Sequence, residues 1–100
     1  MNIYLFCCGG FCTSLLALNM KDEFKNQGCD DIEVAAYDYG SLDDVVEEAD
    51  LILLAPQIAW VKSDVEEEYP EKKVMVMDMT DFGSMNGGVM VDKVRKGLGI

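Results

Sequence analysis

The residues that could do chemistry lie in one short stretch, Cys7-Cys8-Gly9-Gly10-Phe11-Cys12-Thr13-Ser14. It follows an apolar run, Ile3–Phe6, and precedes a segment of helical periodicity. Two glycines let a backbone turn tightly with its N–H groups facing inward. A helix opening at Thr13 or Ser14 adds further N–H groups and a positive partial charge. Together these make an anion cradle, with Thr13 and Ser14 as hydroxyl donors and no need of a lysine. The same surroundings favour the reactive thiolate form of a nearby thiol. Cys7, at the end of the apolar run, is the candidate nucleophile. Cys8 and Cys12 read as loop residues, and Cys29, near a helix end, as a small hydrophobe.

What is missing narrows the chemistry. The sequence has no histidine, so a Ser-His-Asp triad, a Cys-His pair and a His-ligated metal site are all excluded. There is no Gly-x-x-x-x-Gly-Lys-[Ser/Thr] loop and no Gly-x-Gly-x-x-Gly fingerprint. An acidic pair after the first strand, as a phospho-acceptor receiver domain needs, is absent too. A cysteine phosphatase needs Cys, five residues, then Arg. Counting from Cys7 the sixth position is Thr13, and from Cys8 it is Ser14. The arginine that would clamp the phosphoryl group in the transition state is not there. Such a loop can hold a phosphocysteine yet hydrolyse it poorly, which is what a phosphoryl carrier requires. The alternative is a thiol-redox or metal-binding module using Cys7, Cys8 and Cys12, with an outside ligand completing the set. It lacks a Cys-x-x-Cys spacing. Neither a cofactor nor a resident metal is expected.

These residues need elements to hold them. Four apolar runs read as strands: Ile3–Phe6, Ile32–Ala36, Leu51–Ala55 and Val74–Met77. The first, third and fourth are continuous, as in strands covered on both faces, and the second is mixed, as at an edge. A first helix opens at Thr13 or Ser14, carries Leu16, Met20 and Phe24 on one stripe, and stops at Gly28. Ser41 looks like the N-cap of a short helix through Glu48. A third helix covers about Val61–Tyr69. A fourth covers about Gly88–Lys96, with Val91 and Val94 inward and Gly97 at its end. This alternation predicts an α/β fold: a single domain over residues 1–100, with a four-stranded parallel sheet, for which the order 2-1-3-4 is expected by analogy with flavodoxin-like sheets. Helices on both faces would make a three-layer sandwich, flavodoxin-like or phosphatase-like. Ligands of such sheets sit beyond the carboxyl ends of the strands, beside the first. Gln57 and Asp81, at the ends of the third and fourth strands, could border the same site.

Composition sets outer limits. One hundred residues, half of them hydrophobic, support one core. A chain of this size buries roughly 60–70% of its unfolded surface. Eight basic against nineteen acidic side chains give a net charge of −11, a poor match for nucleic acid or anionic membrane. No apolar run approaches the ~20 residues of a membrane span. The first residues lack the basic region of a signal peptide. Three thiols within six residues do not resemble a secreted disulfide framework, so a cytoplasmic, reducing location is expected.

The stretch Ile3–Leu16 resembles the N-terminus of enzyme IIB components of the lactose/cellobiose (chitobiose) phosphotransferase family. There a hydrophobic strand leads into Cys-Ser-Ala-Gly-Met-Ser-Thr-Ser-Leu-Leu. Leu53-Leu54-Ala55-Pro56-Gln57-Ile58-Ala59-Trp60 is similar to the family's Leu-Leu-Gly-Pro-Gln-Ile-x-Tyr. Met77–Gly87 is similar to its fourth-strand end and following loop. The resemblance implies a phosphoryl carrier. Cys7 would take a phosphoryl group from a phosphohistidine on the IIA component. It would pass the group to a sugar, such as cellobiose, chitobiose or lactose, bound by the membrane component IIC. The cradle maps onto Cys8, Gly9, Gly10, Phe11, Cys12, Thr13 and Ser14. Cys8, Gly9, Phe11 and Cys12 depart from the family's Ser, Ala, Met and Ser. Leu18, off the buried stripe of the first helix, reads either as a scattered surface residue or as a contact for IIA or IIC.

Overall fold

The computed structural model describes residues 1–7, 11–29, 31–84 and 86–99, with the side chains of all but Phe11, Cys12 and Thr13. In chain order the elements are β1 (Asn2–Cys7), α1 (Phe11–Asn26), β2 (Glu33–Asp38), α2 (Leu42–Val45), β3 (Leu51–Leu54), α3 (Lys62–Glu68), β4 (Lys73–Val76), α4 (Met79–Ser84) and α5 (Gly87–Leu98). Three-ten segments at Tyr39–Ser41, Val46–Glu48 and Pro56–Val61 fill the crossovers. The strands form one parallel sheet in the expected order, β2-β1-β3-β4.

The central strands are apolar because both faces are covered. Ile3, Leu5, Phe6 and Leu51 to Ala55 are sealed from solvent, and each large aliphatic buried this way is worth about 1.5–3 kcal/mol. The first crossover runs from β1 to β2 and the second back past β1 to β3. A right-handed path therefore puts α1 on one face and α2 with α3 on the other. The contacts agree. The Tyr4 hydroxyl donates to Glu48 at 3.2 Å and Asn2 Nδ2 donates to the Glu48 carbonyl at 2.8 Å, so the even-numbered side chains of β1 face the second crossover. The α5 helix packs against α1 on the opposite face.

Helix α1 buries Leu16, Met20 and Phe24 as one stripe. Its end is a Schellman motif: Cys29 N–H donates to the Phe24 carbonyl at 2.8 Å, Gly28 N–H to that of Lys25 at 3.1 Å, and Gly28 has φ 79°. That geometry is why the helix stops there.

Several boundaries differ from expectation. Helix α1 begins at Phe11, before Thr13 or Ser14. Strand β2 omits Ile32 and runs on to Asp38, because its ladder with β1 lasts until Cys7. Ser41 makes no side-chain capping bond; it ends a three-ten segment and has φ −94°, ψ 2° instead of the extended backbone of a helix cap. Gly97 does not end the last helix. It lies inside α5, where a Cβ would come within 2.7 Å of the Met75 sulfur, and the left-handed residue is Gly99. The short helix α4 had no signal in hydrophobic period; its cap is Asp78, whose carboxylate accepts from Thr80 N–H at 2.8 Å.

Candidate functional site

Cys7 is the last residue of β1, a central strand, and is 3% exposed. Register places its neighbours. Cys7 pairs with Asp38, and Phe6 with Tyr37 and Leu54. Ala55 N–H donates to the Phe6 carbonyl at 2.9 Å and Met77 N–H to the Leu54 carbonyl at 2.8 Å. Asp38, Cys7, Ala55 and Met77 thus lie at one level along the carboxyl edge of the sheet. Because even-numbered residues of β1 face the second crossover, alternation turns Cys7 to the side of α1 and α5.

Helix α1 starts four residues beyond Cys7, and its first turn carries no acidic residue. The positive end of a sixteen-residue helix is therefore uncompensated by carboxylates of its own and points to the edge where Cys7 sits. Of the expected cradle, Cys8, Gly9 and Gly10 lie outside the described residues. Phe11, Cys12 and Thr13 contribute helical backbone in the first turn of α1, and their side chains lie outside the description. Ser14 is exposed in the same turn. The grouping of Cys7, Cys8 and Cys12 thiols required by the metal or redox reading falls largely on these undescribed positions. Cys29 is half-buried at the far end of α1.

The nearest carboxylate by register is that of Asp38, whose Oδ2 lies 3.1 Å from where a Cβ on Gly40 would stand. Gln57 is exposed on the three-ten segment that leaves the edge after β3. Asp81 lies in the first turn of α4 and pairs with Lys93 of α5. Asp81 and, more weakly, Asp78 raise the Lys93 ammonium above its ordinary value, so this lysine is committed as a strut between two helices. Arg95 is the only arginine in the sequence. It reaches Gln27 Oε1 at 2.6 Å, beside the C-terminal end of α1. Since α1 starts at the carboxyl edge, Arg95 lies at the opposite end of the sheet from Cys7. The phosphatase clamp is thus missing in space as well as in sequence.

Sequence reasoning passed over two exposed side chains near this edge. Trp60, in the three-ten segment after β3, is 73% exposed, and Met79, opening α4 after β4, is 71% exposed. Each follows a strand end by a few residues, and that position was the available signal. Leu18 is 54% exposed and borders a shallow groove with Ala17, Lys21 and β2.

Residues 2–93 match the family model described as "PTS system, Lactose/Cellobiose specific IIB subunit". The chain is 30% identical over 88 residues to the oligo-beta-mannoside-specific EIIB component of Bacillus subtilis (strain 168), covering 86% of this chain and 84% of the relative. The solution structure of a cellobiose-specific IIB component from Borrelia burgdorferi superposes with a TM-score of 0.77 at 29% identity, covering 97% of this chain and 90% of that one. The lactose-specific IIB domain from Streptococcus pneumoniae superposes with a TM-score of 0.88 over 97% and 96% of the two chains. At 15% identity, that likeness speaks for the fold alone. With its sheet order, its strand-end cysteine and a family match over nearly its whole length, the chain belongs to the lactose/cellobiose-specific IIB subunits of the sugar phosphotransferase system.

Proposed function

We propose that Cys7 is the phosphoryl-carrying residue. The observation that carries this is its place: it ends a central strand at the edge toward which the N-terminus of α1 points, with no acid in that helix's first turn and the only arginine at the other end. In the first step the Cys7 thiolate attacks the phosphorus of a phosphohistidine on IIA. The S–P bond forms, the N–P bond breaks, and the imidazole leaves. In the second step a hydroxyl of the sugar held by IIC attacks the same phosphorus. The O–P bond forms, the thiolate leaves, and the hydroxyl proton departs on the acceptor side. Thiolate is a good leaving group, so the intermediate is not a trap as a serine ester would be. The protein contributes positioning and fixed dipoles, as in other phosphoryl transfers.

Backbone N–H groups from Cys8 to Ser14 would cradle the phosphoryl oxygens, with Thr13 and Ser14 hydroxyls as further donors. The names of the relatives, oligo-beta-mannoside-specific and cellobiose-specific, support a β-linked oligosaccharide as acceptor. In this reading the chain works in the cytoplasm beside IIC, which does the spanning; among the described residues no helix is long and apolar enough to cross a membrane.

Incubation with phosphorylated IIA should add the mass of one phosphoryl group, on a peptide containing Cys7, in an acid- and iodine-labile linkage. Cys7→Ser should lose sugar phosphorylation by at least ~10³-fold, as removal of a nucleophile does. Full transfer by that variant, with the label on Cys8, would overturn the assignment.

A further inference from the structure

The net charge of −11 is not spread evenly. Residues 39–71 carry ten acidic side chains and one lysine, Lys62, and so hold most of it. They build the face of the sheet opposite α1 and α5. Carboxylates from α2 and α3 converge there: the Tyr39 hydroxyl feels Asp64, Asp43 and Glu68 together. Lys62 is tied to Glu66 at 3.7 Å. Lys72, next in sequence, is turned inward onto the carbonyls of Glu47 and Ala49 at 3.0 and 2.9 Å. The other face is balanced by Lys21, Lys25, Lys93, Arg95 and Lys96 on α1 and α5.

Trp60 stands on the acidic face. The inward residues of its segment are Ile58, Val61 and Val65, all buried, whereas Gln57, Trp60, Asp64 and Glu67 are exposed. Trp60, Asp64 and Glu67 follow one another at helical spacing into α3 and make an outward stripe; Gln57 precedes it, across a kink at Ile58, at the edge level with Cys7. A tryptophan left 73% exposed in this setting has the anatomy of a binding anchor: a large aromatic surface with a charged rim.

We propose that this stripe docks the chain onto the cytoplasmic loops of the membrane component, Trp60 entering an apolar pocket rimmed by Lys and Arg. The inference rests on the phosphoryl-carrier reading for the identity of its partner. Charge complementarity selects that partner. Cytoplasmic loops of membrane proteins carry an excess of Lys and Arg, whereas the anionic lipid around them repels a chain of this charge. Attraction must then come from the transporter protein itself, and a lopsided charge turns one face toward it before contact. Because the stripe begins at the carboxyl edge, docking through it sets that edge, where β1 ends in Cys7, beside the transporter.

The test uses inside-out vesicles from cells making IIC, the same vesicles lacking IIC, and liposomes rich in phosphatidylglycerol. Binding of the unphosphorylated chain is read by co-sedimentation across a salt series. The expected result is saturable binding to IIC vesicles alone. Trp60→Ala should weaken it at least tenfold, and D64K/E67K should weaken it and flatten its salt dependence. Leu18→Ala on the other face should change it less than twofold. All variants should accept phosphoryl groups from soluble phosphorylated IIA at the parental rate. Unchanged binding by the Trp60 and charge variants would overturn the inference, as would equal binding to IIC-free vesicles or liposomes. A loss of loading from IIA as large as the loss of docking would overturn it as well, by assigning the stripe to the donor. Docking is read without phosphoryl transfer, so a chain that docks as expected but is never phosphorylated on Cys7 refutes the carrier reading separately.

Discussion

Cys7 gains its character from what surrounds it more than from its own type. In the proposed carrier role, the N-terminus of α1, with no acid in its first turn, faces the group carried at the strand end, and the one arginine lies at the other end of that helix, out of reach of a hydrolytic clamp. Tyr4 shows the same dependence on surroundings. Burial, the negative charge of Tyr37 and Glu48, and the bond to Glu48 push its hydroxyl up to about 12 from an ordinary 10.0. The folded state therefore keeps the Tyr4 proton at pH values where the unfolded chain has lost it. Stability from this group is complete below pH 10 and falls between pH 10 and about 12. Tyr69 is also pushed up to about 12, chiefly by its 2.6 Å bond to Asp43, but that bond faces solvent and is screened. Denaturant titrations from about pH 9 to about pH 12 should show the alkaline loss in the parent and a clearly smaller one in Tyr4→Phe. An equal slope in both would remove Tyr4 as the cause.

Among the elements, the contact between α1 and α5 is the tightest constraint. The N-terminus of α5 abuts the middle of α1 so closely that a Cβ on Gly87 would lie 2.5 Å from the Asn19 carbonyl carbon and oxygen and 2.8 Å from Met20 N. Those atoms are helix backbone and cannot step aside. Asn86 anchors the same end by accepting from Val89 N–H at 3.1 Å. Gly87→Ala should cost about 1–3 kcal/mol, a fall of roughly 4–8 °C in Tm per kcal/mol. Gly83→Ala in α4, where a Cβ meets nothing within 4 Å, should be neutral or stabilising by up to about 1 kcal/mol. Thermal melts of the two variants check both; equal melting points would mean that α5 shifts freely on α1. The fold-bearing elements were legible because their periods are strong: the continuous runs of β1 and β3, and the Leu16, Met20 and Phe24 stripe. Helix α4 was not, being only six residues long and fixed by the Asp78 cap, which no periodicity reports.

At the scale of the whole molecule, electrostatic self-repulsion sets the response to salt. Most of the net charge is crowded on the α2/α3 face, and like charges held together there oppose the folded state. Screening reaches in to about 10 Å at 0.1 M salt. Raising NaCl from about 20 to about 200 mM should lift Tm by about 2–4 °C, corresponding to about 0.5 kcal/mol. A fall would mean that surface ion pairs such as Lys62–Glu66 outweigh the repulsion. A chain that tolerates this repulsion keeps a strongly oriented field, and the docking proposed through Trp60 uses it.

The sequence by itself determined the parallel α/β fold, the cysteine at the end of the first strand and the missing arginine. These follow from period, alternation and residue type, which are local properties. Tertiary structure alone decided where the distant residues went. It sent Arg95 to the far end of α1, tied Asp81 to Lys93, and gathered Asp43, Asp64 and Glu68 on one face with Trp60 outward. Each of these depends on strand register and on which face a crossover takes, quantities set by packing between segments tens of residues apart.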